Sequence, residues 1–157
     1  MALDNGQPTG FNPLQCEASE ANVQFLSDMV KLLAAKPSYT ASEEEDILRA
    51  VRAILDTPRA LRTLTNLQKS MPNLGEDSIF ARLRKWTRSG SLGWVFDNPH
   101  DSIDFSGASI IGFDYTDVID NAEVRTPVIN YLIHRLEELI DGRPLIYVMD
   151  EFWKILD

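Results

Sequence analysis

Several things are scarce in this 157-residue chain, and each shortage excludes something. Cysteine occurs once, at Cys16. A disulfide within the chain is therefore excluded, which fits a reducing compartment. Positive charge is in deficit: 15 Lys and Arg stand against 24 Asp and Glu, a formal net charge of -9. Such a surface repels phosphate backbones, so non-specific nucleic-acid binding by the chain as a whole is not expected. No apolar run approaches the ~20 residues that span a bilayer, and the opening "MALDNGQPTG" has neither the basic flank nor the apolar core of a signal peptide. The chain is expected to be soluble, with any membrane contact peripheral. There is also no G-x-x-x-x-G-K-[ST] loop to cradle phosphates. Gly107 and Gly112 have the glycine spacing, but Phe113 and Asp114 follow them, and an acid there repels phosphate.

What the chain has is helical periodicity. Gly6, Pro8, Gly10 and Pro13 mark residues 1–18 as loop. After Ser19, a candidate N-cap, Val23, Leu26, Val30 and Leu33 fall on one helical face, and Pro37 closes the segment. Ser42 with Glu45 reads as a capping box, followed by an apolar face of Ile47, Leu48, Val51, Ile54 and Leu55. A short helix plus turn is expected over 59–71. A further helix is expected over about 77–88, with Phe80, Leu83 and Trp86 on one side.

The texture then changes. "SGSLGWVFDNPHDSIDFSG" is turn-rich, and "ASIIGFD" reads as a short buried strand. Thr126 as cap, Pro127 at the first position and Gly142 past the end define a helix with Val128, Ile129, Leu132, Ile133, Leu136, Leu139 and Ile140 on its apolar face. "LIYVM" follows as a second buried strand. Strand, helix and strand predict a βαβ unit with parallel strands and a right-handed crossover. The expected organisation is a loop segment over 1–18, a helical subdomain with a turn-rich end over 19–104, and an α/β segment over 105–157.

The second strand runs into Asp150 and Glu151. In open α/β sheets ligands bind beyond the carboxyl ends of parallel strands. An apolar strand ending in Asp-Glu matches the Walker B pattern, in which the first acid orders Mg²⁺, usually through water, and the second polarises an attacking water. An acid at a strand end also serves simply to cap the next helix, and these residues alone leave both readings open.

Three stretches resemble the ATPases of type IV secretion and conjugation systems, the VirB/TrbE/CagE family. They are "TGFNPLQ" with the following "NVQFL", then "VFDNPHDSIDF", and the closing run from "IIGFDYTDVIDNAEVRTPVINYLIHRLEELIDGRPLIYVMDEFWKIL". The resemblance covers nearly the whole chain in the family's order. It implies a partial RecA-like P-loop NTPase core with an inserted all-helical subdomain, cut from the part between Walker A and just past Walker B. By position it implies Asp150 as the Mg²⁺-associated acid and Glu151 as the catalytic glutamate, with ATP and Mg²⁺ as cofactors. It further implies a homo-oligomer at the cytoplasmic face of the bacterial inner membrane, held there through other type IV secretion subunits. The chain alone is expected to be inactive for want of the P-loop. The alternative is a non-catalytic helical module that binds partner subunits.

Other groupings have ordinary readings. Asp97, His100, Asp101 and Asp104 lack the glycine and terminal glutamate of a Ca²⁺ loop. Arg82, Arg84, Lys85 and Arg88 make a basic cluster best read as a solvated face. Arg125 and Arg143 flank the last helix, and nothing selects either as an arginine finger. His134 reads as a surface or packed histidine, and Trp86, Trp94 and Trp153 as core or interface residues.

Overall fold

The computed structural model describes residues 1–105, 110–140, 146 and 148. These fall into two compact units. One is Gly6–Ile111; the other joins Met1–Asn5 to the described residues from Gly112 on.

Unit Gly6–Ile111 is helical. Helix α1, Glu20–Ala34, starts where expected: the Ser19 side chain accepts from the Asn22 amide. It stops at Ala35, whose left-handed φ of 49° turns the chain before Pro37. Val23, Leu26, Val30 and Leu33 are all buried. Helix α2, Ala41–Leu55, packs against α1 through Ile47, Val51, Ile54 and Leu55. Its capping box is Thr40 with Glu43, two residues before the expected Ser42 and Glu45. The earlier frame prevails because Glu43 is also gripped by Lys36, so its carboxylate serves the cap and the turn from α1 together.

Helix α3, Leu64–Lys69, is capped by Thr63. Helix α4, Ile79–Leu83, is capped by Ser78 and continues as a 3₁₀ turn over Arg84–Trp86, so the expected helix over 77–88 is real but short and tightened. Gly90 and Gly93 allow the chain to fold back on that turn: a Cβ at Gly93 would lie 2.2 Å from the Thr87 carbonyl oxygen. Helix α5, Gly93–Phe96, follows at once inside the stretch read as turns. Trp86 is the buried hub. Its indole nitrogen donates to the Leu33 carbonyl at 2.9 Å, and its ring lies 6.2 Å from that of Phe96.

The second unit holds α6, Thr116–Ile119, and α7, Ala122–Glu137, packed on each other. Here the α/β expectation is corrected. Among the described residues there is no strand and no sheet, so no βαβ unit and no parallel-strand RecA-like core is formed by them. Over its described residues, 110–114, the run read as the first strand is irregular: Ile110 is 93% exposed, and the ladder contact described there is an isolated parallel bridge between Ala2 and Asp114. An apolar run becomes a strand only where neighbours satisfy its backbone along its length, and this run meets the first residues of the chain at Gly112 and Asp114 without forming a ladder. The run read as the second strand lies outside the described residues except for Ile146 and Val148, both exposed.

Helix α7 also begins earlier than expected. Asn121 caps it, accepting from the Glu123 amide, and Pro127 sits inside the helix rather than at its first position. Its ring removes one backbone donor, a loss of ~3 kcal/mol in a helix interior. Burial of Val124, Pro127, Val128, Ile129, Tyr131 and Leu132 offsets it. Among the described residues no helix is long and apolar enough to cross a membrane.

Candidate functional site

The acidic pair that carries the catalytic expectation, Asp150 and Glu151, lies outside the described residues, as do Arg143 and Trp153. What the structure does position is the pair of segments that carry the family resemblance at the other end of the chain. "TGFNP" and "FDNP" meet as one buried polar junction.

The junction is built from two Asn-Pro dipeptides. Asn12 caps a 3₁₀ turn over Pro13–Gln15, its side-chain oxygen accepting from the Leu14 amide at 3.0 Å. Its side-chain nitrogen donates to the carbonyl oxygens of Asn98 at 2.6 Å and Arg62 at 2.8 Å. Asn98 answers by donating to the carbonyl of Phe11 at 2.9 Å. The Thr9 amide donates to the Trp94 carbonyl at 3.0 Å, and the Ser102 amide to that of Gly10 at 2.8 Å. Gly10 has a φ of +76°, and a Cβ there would lie 2.3 Å from Ser102 Oγ, so glycine is required both by conformation and by space. Thr9, Asn12 and Asn98 are all buried. Most of their hydrogen bonds go to backbone groups, which makes the junction a brace.

Asp97 belongs to the same brace. It is buried, and its carboxylate accepts from the Thr65 amide at 3.1 Å, from the Thr65 hydroxyl and from the Arg88 amide at 2.6 Å. It thus ties α3, the Arg88 turn and α5 together. Among the described residues no group of three His, Cys, Asp or Glu side chains is placed to hold a metal ion, so Asp97, His100, Asp101 and Asp104 do not converge on one.

The basic cluster disperses. The Arg82 guanidinium bonds Asp77 at 2.6 Å and donates to the carbonyls of Ala34 and Ala35, where cations suit the negative end of α1. Lys85 lies over the Trp86 ring, 5.7 Å from its centroid. Arg84 and Arg88 remain exposed. In the second unit His134 is half-buried. Burial pushes its imidazole below the ordinary value against the pull of Glu138 and Glu137.

Sequence reasoning had the segments but missed their pairing. The available signal was the repeated Asn-Pro, in which an amide side chain precedes a residue with no N–H of its own. Nothing local says that the two amides face each other across 86 residues.

Comparison with known proteins gives these segments a context. No family model matches the chain. The type IV secretion system protein virB4 of Bartonella henselae is 44% identical over 158 residues, covering 99% of this chain and 20% of that protein. PtlC of Bordetella pertussis, also a type IV secretion system protein, is 39% identical over 167 residues, covering all of this chain and 20% of its own length. The virB4 protein of Brucella abortus is 41% identical over 170 residues with the same coverage. The chain thus spans about a fifth of the length of the curated relatives it matches. The likeness is to type IV secretion system proteins. Along its whole length the chain is similar to one segment of the virB4 and PtlC proteins, which supports a place in the VirB4/TrbE family.

Proposed function

We propose that this chain is the part of a type IV secretion ATPase that supplies the acids Asp150 and Glu151 to a nucleotide site completed by a P-loop elsewhere in the longer protein. One observation carries the reading: identity of 39–44% along the whole chain, through its acidic end, to relatives named as type IV secretion system proteins. Carboxylates are hard oxygen donors and suit Mg²⁺. Asp150 would hold that ion, through water, and the ion when bound neutralises charge on the ATP phosphates. Glu151 would accept a proton from the attacking water. ATP hydrolysis would energise assembly of the apparatus or transfer of its substrate. The partners would be other secretion subunits and further copies of the same protein, at the cytoplasmic face of the bacterial inner membrane.

The test is Glu151→Gln in the complete protein. ATP binding should survive, since glutamine keeps the size of the side chain, while turnover should fall by ~10²–10⁴-fold, the usual loss with a positioned general base. Unchanged turnover would reassign Glu151 to a structural role and leave the interaction-module reading in its place.

A further inference from the structure

A cleft of about 180 Å³ opens between the start of α2 and the 71–79 loop. Its base is apolar: Met71 and Ile79 line it and are buried. Leu74 stands at its edge, 76% exposed on a turn that Gly75 makes with a φ of 103°. An apolar cavity of about 150 Å³ accepts a guest the size of benzene, so this one has room for a single leucine or phenylalanine side chain.

The rim is acidic. Glu43, Asp46 and Asp77 line the cleft, and Glu45 and Glu76 stand exposed beside them in the chain. Among the described residues Lys36 is the one cation lining it, committed to Glu43 and, at 3.9 Å, to Asp77, while Arg49 pairs with Asp46 and Arg82 with Asp77 from outside the lining, so the rim's unbalanced charge is that of Glu45 and Glu76. The walls are preformed. Lys36 ties the end of α1 to the start of α2 and to the loop, and Ser78 donates to the Gly75 carbonyl at 2.6 Å while capping α4. A preformed cleft takes a guest without the cost of ordering its own side chains.

We infer that this cleft docks a segment of a partner protein that presents one apolar side chain flanked by lysine or arginine. The apolar base selects the side chain, and the exposed Glu45 and Glu76, beyond the ion-paired Glu43, Asp46 and Asp77, select its neighbours by charge complementarity. The same carboxylates oppose phosphate-bearing surfaces, whether nucleic acid or anionic lipid. The inference is independent of the ATP reading, since none of these residues is assigned to the nucleotide.

The test is an amide-shift NMR titration of the isotope-labelled 157-residue chain with three peptides: acetyl-KKLKK-amide, acetyl-KKSKK-amide and acetyl-EELEE-amide. The first should give saturable shifts at Asp46, Met71, Leu74 and Ile79. The other two should bind at least about tenfold more weakly, the scale set by losing one buried leucine or by reversing the flanking charge. Leu74→Ser and Glu76→Lys, both at exposed positions where substitution leaves the fold intact, should each weaken the first peptide several-fold. Four results would overturn the inference. They are equal shifts from the serine peptide, equal shifts from the acidic peptide, no shift at ~5 mM peptide, where a millimolar site would be mostly filled, or shifts at these residues from phosphatidylglycerol vesicles or a DNA duplex.

Discussion

The side-chain nitrogen of Asn12 donates to the carbonyl oxygen of Asn98 at 2.6 Å, both residues buried, and Asn98 returns a bond to the Phe11 carbonyl. Each amide thus satisfies backbone oxygens on the other segment. Asn12→Ala should lower stability by roughly 1–3 kcal/mol, because it takes a donor from the carbonyl of buried Asn98 and an acceptor from the Leu14 amide, while the Arg62 carbonyl keeps Gln15 as a donor. Asn12→Asp should cost at least as much, since it keeps the shape but turns an acceptor toward two acceptors. Urea denaturation followed by tryptophan fluorescence measures both. Loss of less than half a kcal/mol in Asn12→Ala would mean that water replaces the side chain and that the junction does not brace the unit.

The start of α2 offers a paired comparison. Thr40→Ala should cost ~1 kcal/mol, the usual loss for an N-cap hydroxyl. Ser42→Ala, at an exposed position inside the first turn, should stay within ~0.5 kcal/mol. Equal losses in thermal melts would show that the helix frays between two starts.

That comparison also shows where local reading ends. Thr40 with Glu43 and Ser42 with Glu45 both satisfy the capping-box spacing, and the choice rests on Lys36, which comes from α1. The apolar face of α1 was legible because Val23, Leu26, Val30 and Leu33 follow one period and answer to nothing outside it. Pro127 was misplaced because proline favours a first turn, yet here the packing of Val124, Val128 and Tyr131 carries the helix through it. The run at Ile110–Ile111 misled for a related reason: β-pairing depends on neighbours that a sequence window does not contain. The candidate site divides the same way. Asp150 and Glu151 are a local pattern, whereas Asn12 facing Asn98 and the cleft behind α2 exist only once distant segments have met.

Low pH should weaken the α1–α2 turn. The hydrogen bond from Lys36, then that from the Thr40 amide, holds the Glu43 carboxyl below its usual range, and Arg82 does the same for Asp77. A folded-state value below the unfolded one contributes stability above the unfolded pKa, ~4.3 for Glu and ~3.9 for Asp. That contribution is lost as pH falls through the folded values. Stability should therefore hold from pH 7 to about 5 and decline below about 4. Both groups are solvent-screened, so the effect is modest. Glu43→Gln keeps the cap but not the charge, and its urea midpoint should decline less steeply in that window. A slope identical to wild type would show that the Lys36 pair does not persist in solution.

The purified 157-residue chain should turn over no ATP. A phosphate cradle needs backbone amides and a lysine at G-x-x-x-x-G-K-[ST], and where this chain repeats the glycine spacing it places Phe113 and Asp114 instead. Asp114 is exposed and held ionised: the Thr116 hydroxyl donates to it at 2.7 Å and the Thr116 amide at 3.2 Å, which pulls its carboxyl below the usual range. A fixed carboxylate at that position repels the phosphates a Walker lysine would attract. A coupled phosphate-release assay on the chain, beside the complete protein at equal concentration, checks this. Turnover by the chain alone that disappears in Glu151→Gln would show that these residues complete a nucleotide site without the P-loop.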